Sequence, residues 1–126
     1  MLIVQHLPPN FGEALAQDLS RFTPFGVALA AIGDELLPGR ALLAPGRQAL
    51  RIVGGQIVGM ADAEHIGVHG QAIDRTMESV ANAYGSGAIG VILSGMGEDG
   101  VRGLRAIKER GGITFGQDEE SCQVYG

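Results

Sequence analysis

The residues whose types suit catalysis are a histidine near the start of the sequence and an acidic, glycine-rich loop near its end. His6 follows the apolar run 2–4, and the loop 95–100 (GMGEDG) follows the apolar run 88–93. In open α/β sheets, ligands bind beyond the carboxyl ends of the strands, so both positions are candidate sites. An imidazole can act as a general base, and a carboxylate such as that of Asp99 can orient it. We expect His6 and Asp99 to lie at the same edge of a parallel sheet.

Both side chains also have ordinary structural roles, which the sequence leaves open. Asp99 immediately precedes a predicted helix, where aspartate is a favoured N-cap residue. His6 can equally be a hydrogen-bonded surface or core residue without a catalytic role.

The loop also matches the dinucleotide-binding pattern G-x-G-x-x-G through Gly95, Gly97 and Gly100. However, Glu98 and Asp99 would face the pyrophosphate, at a cost of ~4 kcal/mol for each pair of unit charges about 4 Å apart. Nucleotide binding is therefore the weakest functional hypothesis. The glycines instead leave backbone N–H groups exposed at a helix N-terminus, where an oxyanion can bind.

Metal binding and cysteine chemistry have little support in the sequence. His65 and His69 are four residues apart, but Gly67 between them and the expected loop argue against a pair of metal ligands. Cys122 has neither a CxxC partner nor a basic neighbour, so we expect a small buried residue. No G-x-S-x-G turn surrounds any serine, so a recognisable nucleophile is missing. We expect no metal site.

The elements that must position these residues alternate between short apolar runs and amphipathic stretches, which predicts an α/β fold. The run 88–115 predicts a strand, a helix and a second strand parallel to the first. In the first half we expect a strand at 2–4, a helix with one apolar face and a strand at 27–31; the helix face is formed by Phe11, Leu15, Leu19 and Phe22. The middle of the chain, 41–60, predicts antiparallel hairpins that turn at 45–46 and 54–55.

In the second half we expect a helix, a strand at 88–93, a second helix and a strand from 113. The apolar stripe of the first helix is Ile73, Met77, Val80 and Tyr84, and that of the second is Val101, Leu104 and Ile107.

Length and charge exclude several classes of protein. The 126 residues form one domain at most. With 14 acidic and 9 basic residues, the chain lacks the clustered cations that nucleic-acid binding requires. No apolar run approaches the ~18 residues of a membrane-spanning helix, and the start lacks the features of a signal peptide. We expect a cytoplasmic protein without membrane insertion.

Five segments together resemble the catalytic domain of CheB-type chemoreceptor methylesterases. The resemblance implies a Rossmann-like, doubly wound, mainly parallel sheet with an antiparallel hairpin region in the middle of the chain. It also implies hydrolysis of glutamyl methyl esters, and deamidation of glutamines, on the cytoplasmic domain of methyl-accepting chemotaxis receptors by a Ser-His-Asp triad. The segments are VQHLP, LLPGRALLAPG, the stretch 69–80, GVILSGMGEDGVRGL and GGITFGQDEESCQVYG.

The resemblance assigns catalytic roles to three residues. His6 matches the catalytic histidine, Asp99 the triad aspartate, and Met96 the residue whose backbone N–H contributes to the oxyanion hole. The glycines that would support this loop are Gly95, Gly97 and Gly100. The resemblance implies no metal and no organic cofactor.

The sequence departs from the family in one respect that bears on activity. The nucleophilic serine of the family lies upstream of the histidine, in a Gly-x-Ser-Thr-Gly-Gly turn that these 126 residues do not contain. We therefore expect residues 1–126 to form a single partial domain that lacks the nucleophile segment, the C-terminal segment and any receiver domain. Alone it should be nearly inactive, because loss of the nucleophile costs ~10⁶ in kcat.

Three origins remain open: a fragment of an active esterase, a natural degenerate copy, or one part of an enzyme completed by another chain. A non-catalytic receptor-binding module is the alternative function. Loss of a central strand would expose apolar surface, so we also expect self-association.

Overall fold

The computed structural model describes residues 1–62 and 71–126 as strands alternating with helices. The helices are α1 (Gly12–Phe22), α2 (Ala72–Tyr84) and α3 (Val101–Glu109), and a short 3₁₀ turn covers Gly85–Gly87. The strands are β1 (Leu2–Ile3), β2 (Gly26–Leu29), β3 (Arg40–Leu43), β4 (Gln48–Val53), β5 (Gln56–Asp62), β6 (Ile89–Ile92) and β7 (Ile113–Gly116).

The strands form three sheets within this part of the chain. β1 and β2 pair with β3 in a parallel sheet, β6 pairs with β7 in a second parallel sheet, and β4 and β5 form an antiparallel hairpin between them in sequence. The α/β class, the mainly parallel pairing and the hairpin in the middle of the chain are therefore confirmed.

The hairpin is shorter than the sequence predicts. Its turn is made by Gly54 and Gly55, whose φ angles of 58° and 81° suit the two-residue turn that joins twisted antiparallel strands. The predicted hairpin at 45–46 is wrong, because β3 pairs in parallel with β1 and β2 instead. Residues 41–43 are completely buried, which is typical of a parallel strand covered on both faces.

Helix α2 is attached to the hairpin by hydrogen bonds as well as by apolar contact. The Thr76 hydroxyl accepts the N–H of Leu50 at 2.9 Å, and the Ser79 hydroxyl accepts the N–H of Ile52 at 2.7 Å. These bonds satisfy backbone groups along β4 and fix the position of the helix that forms part of the site. The buried core beneath it contains Ala30, Leu42, Ala44, Leu50, Ile52 and Ile57.

The predicted apolar face of α1 is only partly correct. Phe11 and Phe22 are 60% and 85% exposed, whereas the buried positions of the helix are Gly12 and Ala16. A Cβ on Gly12 would lie 2.8 Å from a methyl carbon of Leu29, so small residues allow the helix to approach β2 closely. Close approach by small residues has replaced the aromatic contact that the periodicity predicts.

Strand β6 is covered on one face in the described residues. Gly90 faces α3, where a Cβ would lie 2.8 Å from side-chain carbons of Leu104 and Ile107. On the other face, paired residues of β6 and β7 lie side by side and are 49–61% exposed. We call this surface the β6–β7 outer face; it consists of Ile89, Val91, Ile113 and Phe115.

The helices described here are all too short or too polar to cross a membrane.

Candidate active site

The imidazole of His6 and the carboxylate of Asp99 are in direct contact. The His6 Nε2 and Asp99 Oδ2 atoms lie 2.8 Å apart, and the side chains are 37% and 13% exposed. His6 follows β1, and Asp99 lies in the loop between β6 and α3. The two residues therefore meet beyond the carboxyl ends of their strands, but those strands belong to different sheets and not to one shared edge.

The Asp99 carboxylate is held in place by the N-terminus of α2. Its Oδ2 atom accepts the N–H of Ile73 at 3.1 Å, and its Oδ1 atom accepts the N–H of Asp74 at 2.9 Å. The first N–H groups of a helix have no partner within the helix, so this carboxylate satisfies two of them. Asp99 thus caps α2. Asp99 does not cap α3, because the N-cap residue of that helix is Gly100, which has no side chain of its own to act as a cap.

The cap of α3 comes instead from Asp74, a residue to which the sequence alone assigns no role in the site. Its side chain is 5% exposed, and its Oδ1 atom accepts the N–H groups of Gly100 and Gly103 at 2.9 Å and 2.7 Å. The Nε atom of Arg102 lies 3.2 Å from the other carboxylate oxygen. An acid immediately after Ile73 in the predicted helical stripe was the available signal, since a carboxylate beside a buried face needs partners.

The two helices come close enough for these bonds because α3 carries a glycine at the crossing point. A Cβ on Gly103 would lie 2.5 Å from the Cβ of Met77 and 3.2 Å from the Cα of Asp74. Gly100 adopts a φ of 117°, which residues with side chains rarely adopt. These two glycines allow the backbone N–H groups of α3 to reach the Asp74 carboxylate.

The predicted oxyanion loop is bonded to the last residues of the chain. The N–H of Gly95 donates to the carbonyl of Val124 at 3.0 Å, and the Ser94 hydroxyl accepts the N–H groups of Gln123 and Val124. The side chain of Met96 is 89% exposed, and Gly97 has a φ of 98°. The loop is therefore exposed at Met96, while the preceding residues, Ser94 and Gly95, are held by hydrogen bonds to residues 123–124.

A turn at Asp118 supports the same segment. Its carboxylate accepts the Ser121 hydroxyl at 2.9 Å and the Ser121 N–H at 3.0 Å. These bonds, the hydroxyl first, hold the pKa of Asp118 below its ordinary value. The neighbouring Gln117 side chain accepts the N–H of Ser94 at 2.7 Å, which connects the turn to the loop.

The other candidates from the sequence are Cys122, His65 and His69. Cys122 is half-buried rather than buried. His65 and His69 lie outside the described residues. Across residues 1–62 and 71–126, no three histidine, cysteine or acidic side chains are grouped as metal ligands would be.

Comparison with known proteins identifies similar sequences and a similar structure. The family model described as CheB methylesterase matches residues 1–126. A protein-glutamate methylesterase/protein-glutamine glutaminase from Pseudomonas aeruginosa is 40% identical over all of this chain and 37% of its own length, and one from Moorella thermoacetica is 46% identical over all of this chain and 31% of its own. The chain therefore spans about a third of these curated relatives.

Among solved structures, the Thermotoga maritima CheB methylesterase catalytic domain superposes with a TM-score of 0.86. It is 33% identical in sequence, and the match covers 99% of this chain and 68% of that one. The Rossmann-like α/β architecture expected from the sequence is confirmed by this similarity.

Proposed function

The chain belongs to the CheB methylesterase family, and from that premise we propose that it forms part of a protein-glutamate methylesterase and glutaminase. Its substrates are glutamyl methyl esters and glutamine side chains on the cytoplasmic domains of chemoreceptors, and the reaction takes place in the cytoplasm. The observation that carries the proposal is the 2.8 Å contact between His6 and Asp99 in a chain of this family.

In this proposal each nitrogen of His6 has its own role. An ionised carboxylate only accepts hydrogen bonds, so Nε2 donates its proton to Asp99. The neutral ring then has its free electron pair on Nδ1, which is the atom able to accept a proton. Two backbone N–H bonds keep the Asp99 carboxylate in place while this happens.

The reaction follows from this arrangement as an acyl transfer. A serine hydroxyl attacks the ester carbonyl carbon while its proton moves to Nδ1 of His6, and Asp99 stabilises the imidazolium. The N–H of Met96 binds the resulting oxyanion. The carbon–oxygen bond to the methoxy group then breaks, and the proton on Nδ1 leaves with it as methanol. Water, activated by the same nitrogen, releases the glutamate carboxylate; for glutamine the leaving group is ammonia.

The proposal takes the attacking hydroxyl from a serine that is not among residues 1–126. Within residues 1–62 and 71–126, the His6 ring bonds to Asp99 and not to a serine. Residues 1–126 are accordingly one portion of the catalytic domain and should be nearly inactive alone.

The test is methanol release from methylated receptor by the complete gene product. We expect His6→Ala to lower kcat by about 10⁶ and Asp99→Asn by about 10⁴, because each removes a triad function. Arg21→Gln, which changes an exposed ion pair on α1, is the control. Parent-like turnover in either site variant would show that the site is wrongly placed.

A second candidate is a non-catalytic module that binds receptors. The lack of a serine partner for His6 in the described residues favours it. It predicts that the complete gene product binds receptor but releases no methanol, and that His6→Ala does not weaken the binding. Turnover by the parent would exclude it.

We also propose that residues 1–126 in isolation self-associate through the β6–β7 outer face. Its four apolar side chains are each about half exposed and lie adjacent in register. Contiguous apolar surface of this kind is a common site of association.

A further inference from the structure

We propose that Asp74 is a positioning residue that holds Asp99 in the geometry required to orient His6. The proposal rests on the function proposed above and assigns to Asp74 a role that no motif in the sequence indicates. The Asp74 side chain is 5% exposed, and a buried carboxylate needs hydrogen-bond partners. One of these partners is the N–H of Gly100, the residue next to Asp99.

The first step runs from Asp74 to the backbone beside Asp99. The Asp74 Oδ1 atom accepts the N–H of Gly100 at 2.9 Å, and Gly100 is the residue that follows Asp99. The same oxygen accepts the N–H of Gly103 at 2.7 Å, which ties that peptide to the first turn of α3. Asp74 therefore fixes the main chain on the helical side of Asp99.

The second step runs from the side chain of Asp99 back to α2. Asp99 accepts the N–H of Asp74 itself at 2.9 Å, so the two residues form a closed set of hydrogen bonds across two helix N-termini. A displacement of the Asp74 carboxylate moves both the backbone that carries Asp99 and the N–H that the Asp99 side chain binds. The position of the His6 imidazole depends on both.

Positive charge stabilises the two carboxylates of this set. Two carboxylates close together repel each other, but both face helix N-termini, which carry partial positive charge. Arg102 adds a full positive charge 3.2 Å from Asp74 and also pairs with Glu78 at 3.5 Å. Glu78 is therefore a suitable control position, because it contacts the same guanidinium without touching either helix cap.

A role limited to stability makes a different prediction. If Asp74 only joins α2 to α3, its replacement lowers the free energy of unfolding and leaves the His6–Asp99 contact of the folded molecules unchanged. If Asp74 positions Asp99, a folded variant with a displaced carboxylate loses that contact.

The test compares Asp74→Asn, Asp74→Glu and Asp74→Ala with Glu78→Gln. Asparagine retains an oxygen for both glycine N–H groups, whereas glutamate keeps the charge but moves it by one methylene. The first measurement is the NMR signal of the His6 Nε2 proton in the complete gene product, where we expect the bond to Asp99 to slow the exchange of this proton with water. We expect Asp74→Glu and Asp74→Ala to increase its exchange at least tenfold, and Asp74→Asn and Glu78→Gln to leave it unchanged.

The second measurement is methanol release by the complete gene product. We expect kcat to fall by about 100-fold in Asp74→Glu and Asp74→Ala with KM unchanged, because a small misplacement of a catalytic group has this effect on the chemical step. Asp74→Asn should retain most of the parent kcat.

The outcomes separate this proposal from the proposed function. A parent without esterase activity refutes the function, and the Nε2 proton alone then decides the role of Asp74. A folded Asp74→Glu protein with parent-like protection of that proton overturns the positioning role. If Asp74→Ala does not fold, Asp74→Glu and Asp74→Asn still decide, and loss of protection in Asp74→Asn with intact Gly100 and Gly103 bonds also overturns it.

Discussion

Asp74 and Asp99 each cap the helix next to the other: the carboxylate of each residue accepts backbone N–H groups at the start of the other residue's helix. Asp99, just before α3, caps α2, and Asp74, in the first turn of α2, caps α3. An aspartate ordinarily caps the helix that follows it directly. Because each helix is capped by a side chain from the other element, the position of Asp99 beside His6 depends on how α2 and α3 are placed relative to each other.

The two members of the His6–Asp99 pair should contribute unequally to stability. Asp99→Ala leaves two N–H groups of α2 without acceptors and should lower the free energy of unfolding by about 1–3 kcal/mol. His6→Ala removes an exposed partner and should change it by no more than about 0.5 kcal/mol. Urea denaturation of residues 1–126 measures both. Equal losses would contradict the capping role of Asp99.

A methyl group at the crossing of α2 and α3 should destabilise the protein. Glycine to alanine within a helix ordinarily stabilises by about 0.5–1 kcal/mol. At Gly103 the new Cβ would lie 2.5 Å from the Cβ of Met77, so we expect a loss of about 1–3 kcal/mol instead. Thermal or urea denaturation measures the sign. Gly87→Ala is the matched control, because a Cβ there meets no described atom within 4 Å.

The backbone of Met96, and not its side chain, should matter for catalysis. Met96→Pro removes the N–H assigned to the oxyanion hole and should lower kcat by about 10²–10³. Met96→Ala keeps the N–H and should leave kcat near the parent value, since the side chain is 89% exposed. Methanol release by the complete gene product is the measurement, and amide exchange at Gly95 checks that its bond to Val124 is retained. A strong effect of Met96→Ala would place the side chain in the mechanism.

A charge on the β6–β7 outer face should suppress self-association of residues 1–126. Phe115 is 57% exposed and adjacent to Val91 in the sheet register. Loss of about 2 kcal/mol at a buried aromatic contact weakens association roughly 30-fold, so Phe115→Lys should be largely monomeric in sedimentation experiments. Phe22→Lys, on α1 and 85% exposed, is the control and should behave as the parent. Persistent association of Phe115→Lys would exclude this face.

The turn at Asp118 should give a small pH dependence of stability. Its pKa is lowered in the folded protein by the Ser121 hydroxyl and N–H, so the folded state binds fewer protons than the unfolded state between the two pKa values. The stabilisation is complete above the ordinary pKa of about 3.9 and is lost as the pH falls through the lowered value. Ser121→Ala should raise the pKa of Asp118 towards the ordinary value, as measured by carboxyl NMR titration. Ser86→Ala, at an exposed serine, should leave it unchanged.

Much of the fold follows from local sequence patterns, but the contacts between elements do not. The Gly54-Gly55 turn and the apolar run of β6 are visible in the sequence because turn geometry and strand periodicity are local properties. The parallel pairing of β3 was missed because an apolar run of four residues fits a hairpin and a parallel strand equally well. The exposure of Phe11 and Phe22 was missed because periodicity does not show that small residues make the closest contact.

The candidate site shows the same division. His6 and Asp99 follow apolar runs, so their placement beyond strand ends could be predicted from the sequence, and the family resemblance added Met96. Asp74 could not be assigned a role in this way. Its partners, Gly100 and Gly103, are 26 and 29 residues away in the sequence. They bond through backbone N–H groups, which nearly every residue type has, so the sequence does not indicate these contacts.

His6 and Asp99 are 93 residues apart in the sequence, so their contact can form only late in synthesis of the chain. When the ribosome has synthesised the chain as far as β5, His6 is present but Asp99, α2 and α3 have not yet been made. A nascent chain of that length cannot hold an oriented imidazole, because the contact depends on distant parts of the sequence. The contact that orients the imidazole can therefore form only after the segment that contains Asp99 and the start of α3 has been synthesised.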